Sequence, residues 1–135
     1  MNRTMKAPLP TLGLLLMLAT APAWAAPAAP AADPAMLKLA STSGCMTCHQ
    51  VDPGAKGPNG LPPIGPAWRD VAVKYRGTQG ALEQLTHTVM TGSNPYASHW
   101  KGQVSGLAMP PNAVAIGETD ARVLVGWILA LEARK

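Results

Sequence analysis

The clearest regular pattern in the chain is an amphipathic one at its carboxyl-terminal end. Large apolar residues there follow the spacing i, i+3, i+4, i+7, which places their side chains on one face of an α-helix. They are Leu124, Trp127, Ile128 and Leu131. The pattern predicts a helix that begins near residues 117–119 and runs to the end of the chain.

A second helix is predicted close to residue 34. Asp33 can act as an N-cap, and Pro34 suits the first helical position because an N–H there has no intrahelical acceptor. The apolar residues between Met36 and Ala40 continue this helix. Gly44 marks its end, because glycine readily terminates a helix.

Two further helices are predicted between glycines in the middle of the chain. Residues 68–75 form a short helix ended by Gly77, and residues 81–91 form another ended by Gly92. In the second of these, apolar residues recur at helical spacing and give it one apolar side.

The remaining segments are predicted as long loops. Residues 51–66 contain too many prolines and glycines for a regular element, and residues 93–115 are also loop. No segment alternates apolar and polar residues as a β-strand does, so the predicted class is all-α. With 13 glycines, 14 prolines and no phenylalanine in 135 residues, the core is expected to need support from a metal, a disulfide or a cofactor.

The amino-terminal residues have the form of an export signal. Arg3 and Lys6 precede a short apolar run at 12–18, and residues 23–25 read A-W-A, as a signal peptidase requires. An uncleaved membrane anchor is the alternative, but the apolar run is shorter than the ~20 residues of a membrane span. Residues 1–25 are therefore predicted to be a cleaved signal peptide.

The exported chain is predicted to be a short tail followed by one domain. Residues 26–32 contain only alanine and proline and form a flexible tail, and residues 33–135 form the domain. Loss of Arg3 and Lys6 with the signal peptide lowers the formal net charge from +4 to +2. The remaining charges are dispersed, so a nucleic-acid partner is not expected.

Residues 45–49 carry the chemistry of the chain. They read C-M-T-C-H, the C-x-x-C-H attachment signature of a c-type haem. Cys45 and Cys48 can each add to a vinyl group on the same side of a porphyrin. His49 then lies beneath the ring and offers its imidazole to the iron.

Three other roles of these two cysteines compete with haem attachment. A zinc site needs four ligands, whereas the chain has two cysteines and three histidines in all. A thioredoxin-like redox pair requires a preceding strand, which the pattern lacks. A disulfide between Cys45 and Cys48 would close a very small loop and contribute little stability. Haem attachment is the interpretation that the export signal and the scarcity of aromatic residues favour.

The second axial position on the iron has one leading candidate and one rival. Met109 lies in a loop and is followed by two prolines, which stiffen the chain beside it and lower the entropy cost of ligation. His99, beside Trp100 in the same loop region, is the rival. Met36, Met46, Met90 and His87 are expected to serve packing, the attachment turn or the solvated surface.

Several segments together resemble a known family. Residues 44–49, 65–75, 109–114 and 127–129 are similar to the small class I cytochromes c of bacterial respiratory chains, the cytochrome c-551 type. The resemblance covers residues 33–135. It implies a small helical cytochrome c fold wrapped around one covalent haem, with His49 and Met109 as iron ligands.

The resemblance also implies roles for individual residues. The carbonyl of Pro66 is expected to accept a hydrogen bond from the far nitrogen of His49. Asn112 is expected to donate near the sulfur of Met109. Trp100 is expected to donate its indole N–H to a haem propionate, although an ordinary packing role stays open for it.

Other positions receive a structural role or depart from the family. Trp127 is expected to pack the last helix against the first, with Gly126 allowing the two backbones to approach. Trp68 is expected to be a core residue. Thr88 stands where members of the family often carry a basic residue near a propionate. The pH dependence of the reduction potential that the family shows is therefore not expected of this chain.

The function implied is electron transfer. With both axial positions filled by protein there is no site for a substrate, so the chain is not expected to be an enzyme. It is expected to be a monomer in the periplasm that meets its redox partner proteins transiently and has no membrane attachment after cleavage. A tightly bound haem subunit of a dehydrogenase is the alternative, and a gas sensor with an open iron is a third.

Overall fold

The computed structural model describes Met1 and residues 33–133. Apart from Met1, the predicted signal peptide lies outside the described residues. The predicted Ala/Pro tail at 26–32 also lies outside them. The fold below is therefore that of the predicted domain.

Four α-helices make up the regular structure of this domain. They are α1, Pro34–Thr42; α2, Trp68–Tyr75; α3, Ala81–Thr91; and α4, Glu118–Ala130. Short 3₁₀ turns interrupt the long connections at Cys45–Thr47, Pro58–Gly60 and Pro95–Ala97. No strand occurs between residues 33 and 133, where one isolated bridge joins Lys101 to Val104. The all-α prediction is confirmed.

Helix α1 begins and ends where its local sequence predicts. The Asp33 carboxylate accepts a hydrogen bond from the N–H of Ala35 at 2.8 Å, and Pro34 follows the cap. At the other end the N–H of Ser43 donates to the Leu39 carbonyl at 3.0 Å. Gly44 then adopts a φ of +73°, which turns the chain into the C-x-x-C-H segment.

Helix α4 begins as predicted but stops before the end of the chain. It ends at Ala130, because Leu131 leaves helical geometry with ψ of 134° and its side chain is only 1% exposed. The guanidinium of Arg69 in α2 then donates to the carbonyl of Glu132 at 2.7 Å. Burial of one side chain and a distant hydrogen-bond donor therefore override the helical pattern.

The hydrophobic core lies where α4 packs against the other three helices. Its buried members are Ala40, Trp68, Val71, Ala72, Ile116, Ala121, Leu124, Ile128 and Leu131. No helix among the described residues combines the length and the apolar character needed to cross a membrane.

The expected role of Gly126 is wrong. A Cβ built at this position would meet a single neighbour, Cδ1 of Leu82 in α3, at an ordinary 3.9 Å. Gly126 therefore faces α3, and no close approach to α1 requires a glycine here. The adjacent Trp127 makes an edge-to-face contact with Trp68 of α2, with ring centroids 5.7 Å apart.

Two of the long loops are joined to each other by backbone hydrogen bonds. The N–H of Ser105 donates to the Pro63 carbonyl at 2.9 Å, and that of Gly106 donates to the Ile64 carbonyl at 3.0 Å. A Cβ at Gly106 would lie against the oxygen of Ile64, so a glycine is needed for this approach. We call this pair of bonds the loop rungs.

Candidate functional site

A cavity of about 460 Å³ opens between the loops and the helical core. Its lining contains six of the seven residues predicted for the site, which are Cys45, Cys48, His49, Pro66, Trp100 and Met109. Asn112 is not part of the lining. Apolar side chains from α2, α3 and α4, among them Val71, Val89 and Ile128, form the rest of the wall.

The two cysteines are held on one tight turn at the edge of this cavity. The N–H groups of Cys48 and His49 both donate to the carbonyl of Cys45, at 3.3 and 3.1 Å. Both thiols are free and partly buried. Burial raises the pKa of the Cys45 thiol, and the neighbouring Cys48 adds to that rise. The turn therefore presents two thiols to the same cavity.

His49 is oriented by a carbonyl on the far side of its ring. Its Nδ1 lies 2.8 Å from the oxygen of Pro66. Because a carbonyl can only accept, Nδ1 carries the proton and Nε2 keeps a lone pair available to a metal. Burial lowers the pKa of His49, against the opposing effect of the Pro66 carbonyl. The neutral imidazole, the form that binds metals, is thereby favoured.

Gly65 lies directly against the ring of His49. A Cβ at this position would be 2.7 Å from Cε1 and 2.9 Å from Nδ1 of the imidazole. The N–H of Gly65 also donates to the Cys48 carbonyl at 2.8 Å, which fixes this approach. Only a glycine fits between the loop and the histidine.

The ring of Trp68 lies next to the His49 ring and nearly parallel to it. The two rings are stacked, with centroids 6.0 Å apart and planes 22° apart. Trp68 is 4% exposed, so the prediction of a core residue is confirmed. Its contact with His49 was missed by the sequence interpretation, although its place two residues after Pro66 was a usable signal.

Met109, the predicted second ligand, is held in place by two hydrogen bonds with Ser93. The N–H of Ser93 donates to the Met109 carbonyl at 2.9 Å, and the N–H of Met109 donates to Oγ of Ser93 at 2.8 Å. Gly92 has a φ of +83°, and a Cβ on it would lie 2.9 Å from the Met109 carbonyl. The two hydrogen bonds with Ser93 and the close approach of Gly92 thus fix the backbone of Met109 in the cavity wall.

Known proteins with a similar sequence and fold are cytochromes c. The chain is 42% identical to the cytochrome c-551 of Allochromatium vinosum over 95 residues, which cover 70% of this chain and 84% of the relative. It is 34% identical to the cytochrome c-551 of Pseudomonas aeruginosa over 92 residues, which cover 68% and 72%. No protein-family model matches the chain.

A solved structure agrees with these sequence relatives. Wild-type Nitrosomonas europaea cytochrome c552 matches with a TM-score of 0.55 and 32% identity, over 71% of this chain and 99% of that one. The chain is a small class I cytochrome c. The family resemblance and the fold predicted from the sequence are therefore confirmed.

Membership in this family also confirms haem c, with its iron, as the cofactor. The cytochrome's cavity fits that group, because its wall is mainly apolar, two thiols lie at one edge and an imidazole nitrogen is free. No group of three or more His, Cys, Asp or Glu residues able to hold a metal ion occurs among residues 33–133.

The rival ligand, His99, also lines the cavity of the cytochrome. His99 is exposed, lines the cavity edge and places Nδ1 2.8 Å from the hydroxyl of Tyr75. His87 is exposed, while Met36 and Met90 pack against the hydrophobic core.

Trp100 and Thr88 both line the cavity, and the role of Trp100 towards a propionate stays a prediction. Trp100 is half-buried, and the ammonium of Lys74 lies 5.4 Å from its ring centroid. Thr88 donates its hydroxyl to the Gln84 carbonyl at 3.0 Å. No basic residue occupies position 88, as expected from the sequence.

Asn112 braces the methionine loop. Its side-chain Nδ2 donates to the Pro110 carbonyl at 2.7 Å, and its backbone N–H donates to the Val89 carbonyl at 2.9 Å in α3. Within residues 33–133, the Asn112 side chain has no hydrogen bond to the Met109 sulfur. The role of Asn112 towards that sulfur stays a prediction.

Proposed function

We propose that this cytochrome is a periplasmic carrier of single electrons, with His49 and Met109 as the axial ligands of its iron. The observation that carries the proposal is that both residues line one cavity and that each is held by hydrogen bonds. A haem iron supplies one-electron chemistry by alternating between its ferrous and ferric states. A thioether ligand favours the ferrous state and raises the potential relative to two histidines.

The other site residues hold and shield the cofactor in this proposal. Cys45 and Cys48 form the thioether bonds that make the attachment permanent. Pro66 fixes the tautomer of His49 through its carbonyl. Trp100 would donate its indole N–H to a propionate, and Asn112 stiffens the chain around the methionine ligand.

With both axial positions filled, the cytochrome offers no open coordination site to a substrate. It therefore transfers electrons without being an enzyme, and its partners are redox proteins that it meets transiently as a monomer. The signal at residues 1–25 supports export to the periplasm. No observation favours the alternative of a dehydrogenase haem subunit.

The spectrum of the purified ferric holoprotein tests this ligation. A weak charge-transfer band at the red end, typical of sulfur bound to ferric iron, is expected in the wild type. Met109→Ala should abolish the band and allow the ferrous protein to bind carbon monoxide rapidly. Met90→Ala is the matched control and should keep the band, because Met90 packs against the core.

Two results would overturn the proposed ligation. One is a band that survives Met109→Ala and disappears with Met90→Ala. The other is rapid carbon monoxide binding by the wild-type ferrous protein, which would show that the iron is open and would favour an enzyme or a gas sensor.

A further inference from the structure

We propose that Trp68 is a positioning residue that sets the rotational orientation of the His49 ring about its bond to the iron. The inference rests on the proposed ligation by His49. The stacked pair of rings carries it, with centroids 6.0 Å apart and planes 22° apart.

The hydrogen bond to Pro66 restrains rotation of the His49 ring only softly. The Pro66 oxygen holds Nδ1 at 2.8 Å, and the backbone of Gly65 lies against the Cε1 edge. A hydrogen bond tolerates some tens of degrees of misalignment, so part of the rotation about the bond to the iron stays open. The nearly parallel ring of Trp68 adds a second contact that limits this rotation.

Trp68 is itself anchored firmly enough to provide that contact. Its backbone N–H donates to the Gln50 carbonyl at 2.8 Å, which ties the start of α2 to the residue directly after His49. The N–H of Arg69 repeats the link to Val51 at 3.1 Å. These two bonds hold the backbone of Trp68 in a fixed position relative to the backbone that follows His49.

The indole is also supported from behind. Trp127 of α4 contacts Trp68 edge-to-face at 5.7 Å, with ring planes 82° apart. This is a favourable geometry for an aromatic pair, because the positive edge of one ring meets the negative face of the other. Trp127 has no comparable ring contact with His49 among the described residues.

The consequence is electronic as well as structural. The plane of an axial imidazole determines which of the iron d orbitals its π-system overlaps, and partners of a metal ligand are known to tune the metal through such orientation. Orientation is visible in the g-values of the ferric centre by electron paramagnetic resonance. It is also visible in the spread of the haem methyl shifts by nuclear magnetic resonance.

The test compares ferric holoproteins of Trp68→Leu, Trp68→Phe and Trp127→Leu. Removing the stacked ring in Trp68→Leu should change the g-values and the methyl-shift pattern, whereas Trp68→Phe keeps a ring and should restore most of the wild-type pattern. Trp127→Leu, the control, keeps the ring stacked on His49 and should lower stability while changing both signatures less than Trp68→Leu does. If Trp68→Leu yields too little holoprotein, Trp68→Met removes the ring with an adaptable side chain.

Unchanged signatures in the variants that lack the ring at position 68 would overturn the proposal. Equal changes in Trp68→Leu and Trp127→Leu would also overturn it, because they would assign the effect to general packing. Failure of the proposed ligation by His49 is separate, since it would appear already in the wild type, whose ferric resonance spectra would lack the signature of an imidazole ligand.

Discussion

Gly65 offers the sharpest test of how the histidine is held, through the substitution Gly65→Ala. A Cβ there would lie 2.7 Å from Cε1 of His49, whereas ordinary contact begins near 3.4 Å. The ring must therefore withdraw by about 0.7 Å or the loop must open by that amount. The backbone of Gly65 cannot easily yield, because its N–H is bonded to the Cys48 carbonyl at 2.8 Å.

The cost of this displacement follows from the contacts of the ring. Moved by about 0.7 Å, the 2.8 Å hydrogen bond to Pro66 would stretch towards 3.5 Å, beyond the useful range for N–H···O. Losing that bond costs about 0.5–1.5 kcal/mol, and overpacking a filled site costs about 1–3 kcal/mol. We expect the holoprotein to lose about 1.5–4.5 kcal/mol of unfolding free energy, the sum of the two costs.

Denaturant unfolding of the ferric holoprotein, followed by haem absorbance, measures this loss. Gly126→Ala is the matched control, because its Cβ meets only Leu82 at 3.9 Å. That change should stabilise the protein by about 0.5–1 kcal/mol, since glycine is a poor residue inside a helix. A Gly65→Ala variant as stable as the wild type, with an unchanged sulfur-to-iron band, would refute the reasoning.

Three further predictions concern the loops and the surface. Ser93→Ala removes the acceptor of the methionine N–H and should cost about 1 kcal/mol in denaturant unfolding. We expect the redox partner to dock on an apolar rim formed by Met46, which is 37% exposed, by Val51 and by the loop leading to Met109. Electron transfer to that partner should therefore change only slightly with salt and be slowed more by Met46→Lys than by Lys101→Ala. A steep salt dependence with little effect of Met46→Lys would contradict this docking site. Arg122 holds the pKa of Glu83 below its ordinary value, so the pair's stabilisation is present above that ordinary value and is lost as the pH falls through the lowered pKa. Carboxylate titration by nuclear magnetic resonance should show the pKa of Glu83 rise in Arg122→Ala.

Features that depend on adjacent residues could be predicted from the sequence. The start of α1 follows from Asp33 and Pro34, and residues 68–75 and 81–91 are helical with the predicted bounds because glycines follow them. The cysteine turn is likewise contiguous, so its chemistry could be recognised without a structure. Local hydrogen bonding decides all of these features.

Features that depend on distant residues could not be predicted in the same way. The end of α4 is set by burial of Leu131 and by a donor from Arg69, which lies 63 residues before its acceptor. The contacts of Gly65 and Trp68 with His49 also form through space, when the loop folds back over the motif. The order of apolar and polar residues along the chain does not predict which distant residues come into contact.

The loop rungs bear on how the protein is matured. Ser105 and Pro63 are 42 positions apart, so closing them carries a larger entropy cost than any helical turn. Ile64 and Gly106, which form one of the rungs, also line the haem cavity, so the rungs hold part of its wall together. We therefore expect the attachment turn to be loaded first and the rungs to close afterwards, so that the cofactor serves as the template on which the second half of the chain folds.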